Sequence, residues 1–330
     1  MITSILFALA IQGAPACDCP YADIPVVGHR GSGDSKESNP FAENTVPSVR
    51  NAYEEGAEWA EIDVHLSSDG AVVVHHDFTL GKTVGGLEGC VVDASWSSEL
   101  DGADATHNSG AAAGSATVPQ LAEVLRVTLE FDRKLLVELK VEESGDCVVD
   151  IEAFVDATIA EIKAESATEN VMIISFSFEA LEYSRQVAPE IPVGFLTAEF
   201  SPEVLNDLGD DALEAGFTSI NPLFASLTIG QENTVLADLK AKGLQVVPWT
   251  VDTRNPMEIL FQGQVDGIIT NEVSLALAVR AEQCAQFVCP VPPEVESSGG
   301  CMTAPQGAAP LFPVLAAFAW LALRRRVPVG

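Results

Sequence analysis

Short apolar runs alternate along this chain with longer amphipathic stretches. Runs of strand length and composition fall at residues 25–29, 58–66, 134–140, 171–176, 193–197, 218–221, 244–250 and 267–270. Helical spacing of apolar positions marks the intervening stretches 150–165, 179–187 and 234–242, each closed by a nearby Gly or Pro. Strand and helix in alternation predict a parallel sheet, and eight repeats predict a closed (β/α)8 TIM barrel, with a doubly wound open sheet as the alternative. One further apolar run, 71–76 (AVVVHH), follows the second strand after only Asp69-Gly70, too short a join for a parallel crossover. It is expected to return as a β-hairpin inserted after strand 2. A two-residue Asp69-Gly70 turn would pair Ser68 with Ala71 and set Asp63 opposite His76.

The two ends read differently from this body. Residues 2–11 are apolar and Ala14-Pro15-Ala16 supplies small residues for cleavage, so residues 1–16 are expected to be a signal peptide and the protein exported: periplasmic, surface-anchored or secreted. Residues 17–289 would form the barrel, and 290–300 (PVPPEVESSGG) a linker. In the tail, 301–330, Cys301 precedes an apolar run at 311–323 and then Arg324-Arg325-Arg326. The run would make a helix of about 20 Å, short of the roughly 20 residues that span a bilayer. That order resembles myxo-type C-terminal sorting tags, which implies sorting machinery as a partner and membrane or cell-surface attachment through the tail.

Charge narrows the function. Lysine and arginine number 17 against 48 aspartates and glutamates, a net charge of −31, which excludes a general basic surface for nucleic acid. Any phosphate must be met by a few local cations. The seven cysteines lack zinc-module spacing, and in an exported chain they are better read as disulfides. Barrel closure would bring Cys17 and Cys19 to Cys284 and Cys289 for two bridges, and loops above the rim would bring Cys90 to Cys147.

The chemistry-bearing residues stand at strand ends, where a barrel of this kind gathers its site. His29-Arg30-Gly31 ends the first strand. Glu61 and Asp63 share one face of the second, and Glu138 and Lys140 one face of the next, because side chains alternate along a strand. Glu61, Asp63 and Glu138 converging would repel unless a cation sat between them, and oxygen ligands suit Ca²⁺ or Mg²⁺ rather than zinc. Arg30 and Lys140 suit phosphate. His29 and His76 supply an acid and a base that titrate near neutrality.

His29-Arg30-Gly31, Glu43-Asn44-Thr45, Glu61-Ile62-Asp63, Asp69-Gly70, Val74-His75-His76-Asp77 and Glu138-Leu139-Lys140 together resemble the glycerophosphodiester phosphodiesterase family. Weaker matches at Val118-Pro119-Gln120-Leu121, Ser175-Phe176, Trp249-Thr250 and Asp266-Gly267-Ile268-Ile269-Thr270 extend the resemblance over residues 24–280. It implies a barrel of the phospholipase C-like phosphodiesterase type with one divalent cation held by Glu61, Asp63 and Glu138. It further implies His29 and His76 as general acid and base, Arg30 and Lys140 on the phosphate, Glu43 as an orienting group beside Arg30, and Phe176 and Trp249 lining the glycerol side. The expected reaction is hydrolysis of a small glycerophosphodiester to sn-glycerol 3-phosphate and an alcohol.

The chain departs from the family pattern in a longer loop at 32–42 and in Asn271, where the family more often has aspartate; Glu272 beside it offers a compensating charge. His65, His75 and His107 are read as structural. A spider-toxin sphingomyelinase D type of lipid phosphodiesterase, a phosphoinositide-specific phospholipase C, or an inactive surface binding module are the alternative readings.

Overall fold

The computed structural model describes residues 19–228 and 234–287. The expected signal peptide, linker and sorting tail lie outside these residues, as do Cys17 and Cys289. Among the described residues no helix is long and apolar enough to cross a membrane.

Among the described residues nine strands form: β1 (Val26–Gly28), β2 (Trp59–Leu66), β3 (Val72–Val74), β4 (Lys134–Leu139), β5 (Val171–Ser175), β6 (Val193–Thr197), β7 (Ser219–Pro222), β8 (Gln245–Val246) and β9 (Ile268–Thr270). Eight of them pair in parallel in the order β8-β7-β6-β5-β4-β2-β1-β9. The two ends of that order are joined by backbone bonds from Asp266 N to Val246 O at 2.9 Å, Ile269 N to Pro248 O at 2.9 Å and Val251 N to Ile269 O at 2.8 Å. The sheet therefore curls round on itself in the manner of a TIM barrel. The ladder of β8 is shorter than the predicted 244–250. Pro248, with no N–H to give, interrupts it, and the chain beyond is held by single bonds.

Helices follow the strands on the outside. They begin where the sequence supplies a cap: Thr45 before α1 (Val46–Glu55), Asp150 before α3 (Ile151–Ala164), Ser177 before α4 (Phe178–Val187) and Ser201 before α5 (Pro202–Glu214) each accept from a first-turn backbone N–H. Helix α2 (Leu121–Glu130) opens instead with a Gln120/Glu123 capping box. Strand alternation then sorts the side chains. Ile62, Val64, Val137, Leu139 and Ile173 face outward into a core with Leu121, Leu125, Phe154 and Ile162. Burying each such side chain contributes about 1.5–3 kcal/mol. Val27, Leu136, Met172, Ile174, Leu196, Val247 and Ile269 fill the interior and form an apolar floor. On the same inward faces, toward the strands' C-terminal ends, stand Glu61, Asp63 and Glu138.

β3 pairs antiparallel with β2, but not in the predicted register. Val64 pairs with Val74 and Leu66 with Val72, so the loop has three residues, Ser68-Asp69-Gly70, closed by Ser67 N to Ala71 O at 2.9 Å. A two-residue turn of the primed type needs φ > 0 at both central positions or at the first; here Gly70 alone is left-handed, with φ 84°. The slip of one residue sets His75, not His76, opposite Asp63, and His75 N donates to Asp63 O at 3.0 Å.

Between β3 and α2 the chain builds a small core of its own from Val73, Leu80, Val84, Val91, Leu100, Ala105 and Val118. The Cys90–Cys147 disulfide, Cα atoms 5.3 Å apart, ties this segment to the loop after β4. Cys19 bonds Cys284, which anchors the start of the described chain to the helix Val273–Gln286.

Candidate active site

The turn after β1 brings the first site residues together. Arg30 and Gly31 both take positive φ, 50° and 87°, and a Cβ on Gly31 would lie 2.5 Å from Ser48 Oγ and 2.7 Å from the α1 backbone. Only glycine fits there, and the tight turn points the Arg30 amide at Glu61, with N to Oε2 at 2.8 Å. The Arg30 guanidinium is held by Glu43 Oε1 at 2.9 Å and lies 3.7 Å from Asp63 Oδ2. Asn44, also left-handed at φ 57°, faces Asp63. The long 32–42 loop folds back over this turn, and Ser35 N donates to Glu43 Oε2.

Parallel pairing in register places Asp63 directly beside Glu138. Glu61, Asp63 and Glu138 each offer a carboxylate oxygen, and these oxygens lie within 4.8 Å of one another. All three side chains are buried. Lys140 Nζ closes one side of the cluster, 2.7 Å from Glu138 Oε1 and 3.5 Å from Asp63 Oδ1. Burial works against ionisation of Asp63, but Lys140, His76 and Arg30 outweigh it and hold the carboxyl far below its usual range. Burial lifts Glu138 to about 7 although Lys140 opposes the shift. Burial and the neighbouring charges of Asp63 and Glu138 push Glu61 well upward.

Glu61 Oε1 and Asp63 Oδ1 are both buried without a hydrogen-bond partner, with Lys140 Nζ 3.5 Å from the latter. Buried acceptors this close to one another and short of donors are a fit for one hard divalent cation with oxygen ligands.

Two histidines flank the cluster. His29 Nε2 lies 4.0 Å from Glu61 Oε2, and burial followed by the charge of Arg30 lowers the ring to about 4, below the near-neutral range expected of it from the sequence. His76 reaches the cavity despite the register slip, because the β2–β3 ladder ends before it. Its Nδ1 lies 2.6 Å from Asp77 Oδ1, and burial lowers its pKa. His65 and His75 stand apart from the cavity. His65 Nε2 faces His76 O at 3.3 Å and His75 Nε2 faces Thr79 O at 3.2 Å, the two rings 6.1 Å apart. His107 lies in the segment between β3 and α2, where a Cβ on Gly85 would stand 3.7 Å from its Nδ1.

The cavity has a polar half, formed by His29, Arg30, Glu61, His76, Glu138 and Lys140, and an apolar half that includes Phe176, Leu196 and Trp249. Phe176 and Trp249 meet edge to face at 5.4 Å, and Trp249 Nε1 donates to Asn221 O at 2.8 Å, which fixes the indole.

Three neighbours escaped the sequence reading. Asn44 and Asp77 sat inside recognised motifs without a role. Asp252 gave no signal, since it meets the site only through Asn271, whose Nδ2 donates to Asp252 Oδ2 at 2.8 Å. Glu272 does not supply the compensating charge expected of it, because its exposed side chain turns to Lys36 at 3.3 Å.

A buried acidic cluster flanked by two cations and two histidines, at the C-terminal rim of a TIM-type barrel, is a layout for metal-assisted cleavage of a phosphate ester. Known proteins agree. The pattern of the glycerophosphoryl diester phosphodiesterase family matches residues 29–275. A glycerophosphodiester phosphodiesterase of Caldanaerobacter subterraneus subsp. tengcongensis is 32% identical over 247 residues, 75% of this chain and 93% of the relative. One from Bacillus altitudinis is 27% identical over 242 residues, 73% and 94% of the two chains. Among solved structures, an Oleispira antarctica phosphodiesterase in complex with the product sn-glycerol-3-phosphate superposes with a TM-score of 0.65 at 23% identity, covering 79% of this chain and 98% of that one. A glycerophosphodiester phosphodiesterase from Parabacteroides distasonis gives 0.61 at 23% identity, covering 80% and 98%. The chain belongs to the glycerophosphoryl diester phosphodiesterase family.

Proposed function

We propose that this protein hydrolyses glycerophosphodiesters to sn-glycerol 3-phosphate and an alcohol, with a single Ca²⁺ or Mg²⁺ held by Glu61, Asp63 and Glu138. The observation that carries the reading is the buried trio of carboxylates between His29 and His76 in one rim cavity. A divalent cation bound there supplies electrophilic stabilisation of phosphoryl oxygens and balances the carboxylates. Arg30 and Lys140 contribute fixed positive charge beside the phosphate, held in place by Glu43, Asp63 and Glu138. One histidine accepts the proton of the attacking hydroxyl and the other protonates the leaving alcohol. Phe176 and Trp249 give the glycerol moiety an apolar wall. The intact pair His29 and His76 speaks against an inactive binding module.

The β2–β3 hairpin is read as the insertion after strand 2 of the barrel. Export, with residues 1–16 as leader, accords with two disulfides among the described residues, which suit an oxidising compartment. Residues 290–300 would then serve as linker, and 301–330 as the sorting and surface-attachment tail.

Release of glycerol 3-phosphate from glycerophosphocholine is the test. Activity is expected with Ca²⁺ or Mg²⁺ and lost in EDTA. Full turnover after exhaustive chelation would overturn the cation assignment, and no turnover on any glycerophosphodiester would overturn the activity.

A further inference from the structure

His29 Nδ1 lies 2.7 Å from Asn271 Oδ1, and two other groups decide which end of that amide faces the ring. The backbone N–H of Asp34 donates to Asn271 Oδ1 at 3.0 Å. On the other side, Asn271 Nδ2 donates to Asp252 Oδ2 at 2.8 Å. A backbone N–H can only donate and a carboxylate can only accept, so the amide is oriented from both ends. Its oxygen must therefore face the imidazole, and Nδ1 must carry a hydrogen. In the neutral ring the lone pair is then left on Nε2, the nitrogen on the side of Glu61. Asp252 is itself fixed: Asn271 N donates to its Oδ1 at 2.8 Å, and Thr270 Oγ1 does so at 3.3 Å.

We propose that Asp252 is a positioning residue which, acting through Asn271, locks His29 in the Nδ1–H tautomer and leaves Nε2 as its reactive nitrogen. The relay has a reason in the charge of the site. Glu43, Glu61, Asp63 and Glu138 already crowd the region, and an amide interposed between Asp252 and His29 orients the ring without bringing a further carboxylate against it. Where His76 takes a carboxylate directly, from Asp77, His29 takes one at second hand. The inference rests on the proposed catalytic role of His29 only for its kinetic consequence; the tautomer stands on the hydrogen bonds alone.

The test exchanges the polarity of the pair. Asp252→Asn sets amide against amide, so one must turn, and an Asn271 that turns presents its NH2 to His29 Nδ1. We expect kcat on glycerophosphocholine to fall about 10- to 100-fold, the usual effect of losing a partner that orients a site residue, with KM nearly unchanged. In the double variant D252N/N271D every hydrogen bond can reform. The amide now at position 252 accepts from the backbone N–H of position 271 and donates to the carboxylate now at 271, either oxygen of which accepts from His29. Its kcat should return to within a few-fold of the parent. ¹⁵N chemical shifts of His29 read the tautomer directly, with Nδ1–H expected in the parent and the double variant, and Nε2–H gained in D252N. Parental kcat and tautomer in D252N, or a double variant that folds but recovers neither, would overturn the relay. If D252N is too unstable to assay, the double variant alone decides. If the parent itself proves inactive, the proposed activity fails while the ¹⁵N shifts still decide the relay.

Discussion

Asn44 and Asp63 hold each other by two reciprocal hydrogen bonds, Asn44 Nδ2 to Asp63 Oδ2 at 2.8 Å and Asp63 N to Asn44 Oδ1 at 3.0 Å. The pair locks the residue before the α1 cap to the middle of the acidic cluster, so one asparagine positions both a loop and a carboxylate. Asn44→Ala should cost about 1.5–3 kcal/mol in stability, the range for a hydrogen bond to a charged group. It should also weaken cation binding about 10- to 100-fold. Asn44→Asp, which sets a second carboxylate against Asp63, should be worse on the first measure. Denaturant melts and a cation titration of each variant check this.

His29→Ala and His76→Ala should each lower turnover by about 10²- to 10⁴-fold while the fold is kept. His75→Ala should do the reverse, since His75 is buried against Thr79 O and Thr83 and lies outside the cavity. A thermal melt beside a kcat measurement separates the two behaviours. Loss of turnover in a stably folded His75→Ala would contradict the placement of that ring.

Cation binding should be visible without any substrate. Saturation at 100 times Kd adds about 2.7 kcal/mol to stability, so Ca²⁺ or Mg²⁺ should raise the melting temperature of EDTA-treated protein. In Glu61→Gln that rise should shrink or vanish. An equal rise in both proteins would place the cation elsewhere.

Glu161 predicts a pH effect remote from the site. On α3 its Oε2 has no hydrogen-bond partner, and burial lifts the carboxyl to about 7, with Glu165 adding to the shift and Arg126 opposing it. A carboxyl raised on folding binds more protons in the native state, so its contribution to stability is present below the unfolded pKa of about 4.5 and declines as pH rises toward and past 7. Glu161→Gln should therefore gain stability relative to the parent at pH 8 and little at pH 4. Urea midpoints at the two values decide it.

Non-reducing peptide mapping should recover Cys19–Cys284 and Cys90–Cys147. Reduction of either should cost about 2–4 kcal/mol, as expected for a bridge closing a long loop. A free thiol at Cys90 would contradict the second bridge.

Much of this architecture was legible because a barrel repeats one pattern. Strand β6 falls where the apolar run placed it, and the Glu61/Asp63 and Glu138/Lys140 pairs share faces by simple alternation. The hairpin register was not legible, since Asp69-Gly70 is compatible with loops of two or three residues and only the dihedrals distinguish them. Nor was Asp252, which reaches His29 through a contact between residues 242 positions apart. Asn271 stands out in the sequence as a departure from the family pattern, but its meaning lies in Asp252, a partner from another strand end.

The segment between β3 and α2 closes around Leu80, Val84, Val91 and Leu100 instead of leaning on the floor of the barrel. Its apolar packing is thus its own, while polar bonds such as Ser68 N to Ala94 O at 2.9 Å fasten it to the end of β2. None of residues 78–120 lines the cavity, so remodelling this annex beyond Asp77 can alter its own packing while the pocket walls stay as they are. The disulfide to Cys147 limits how far such remodelling can swing, because it keeps the annex moored to the loop beyond Lys140.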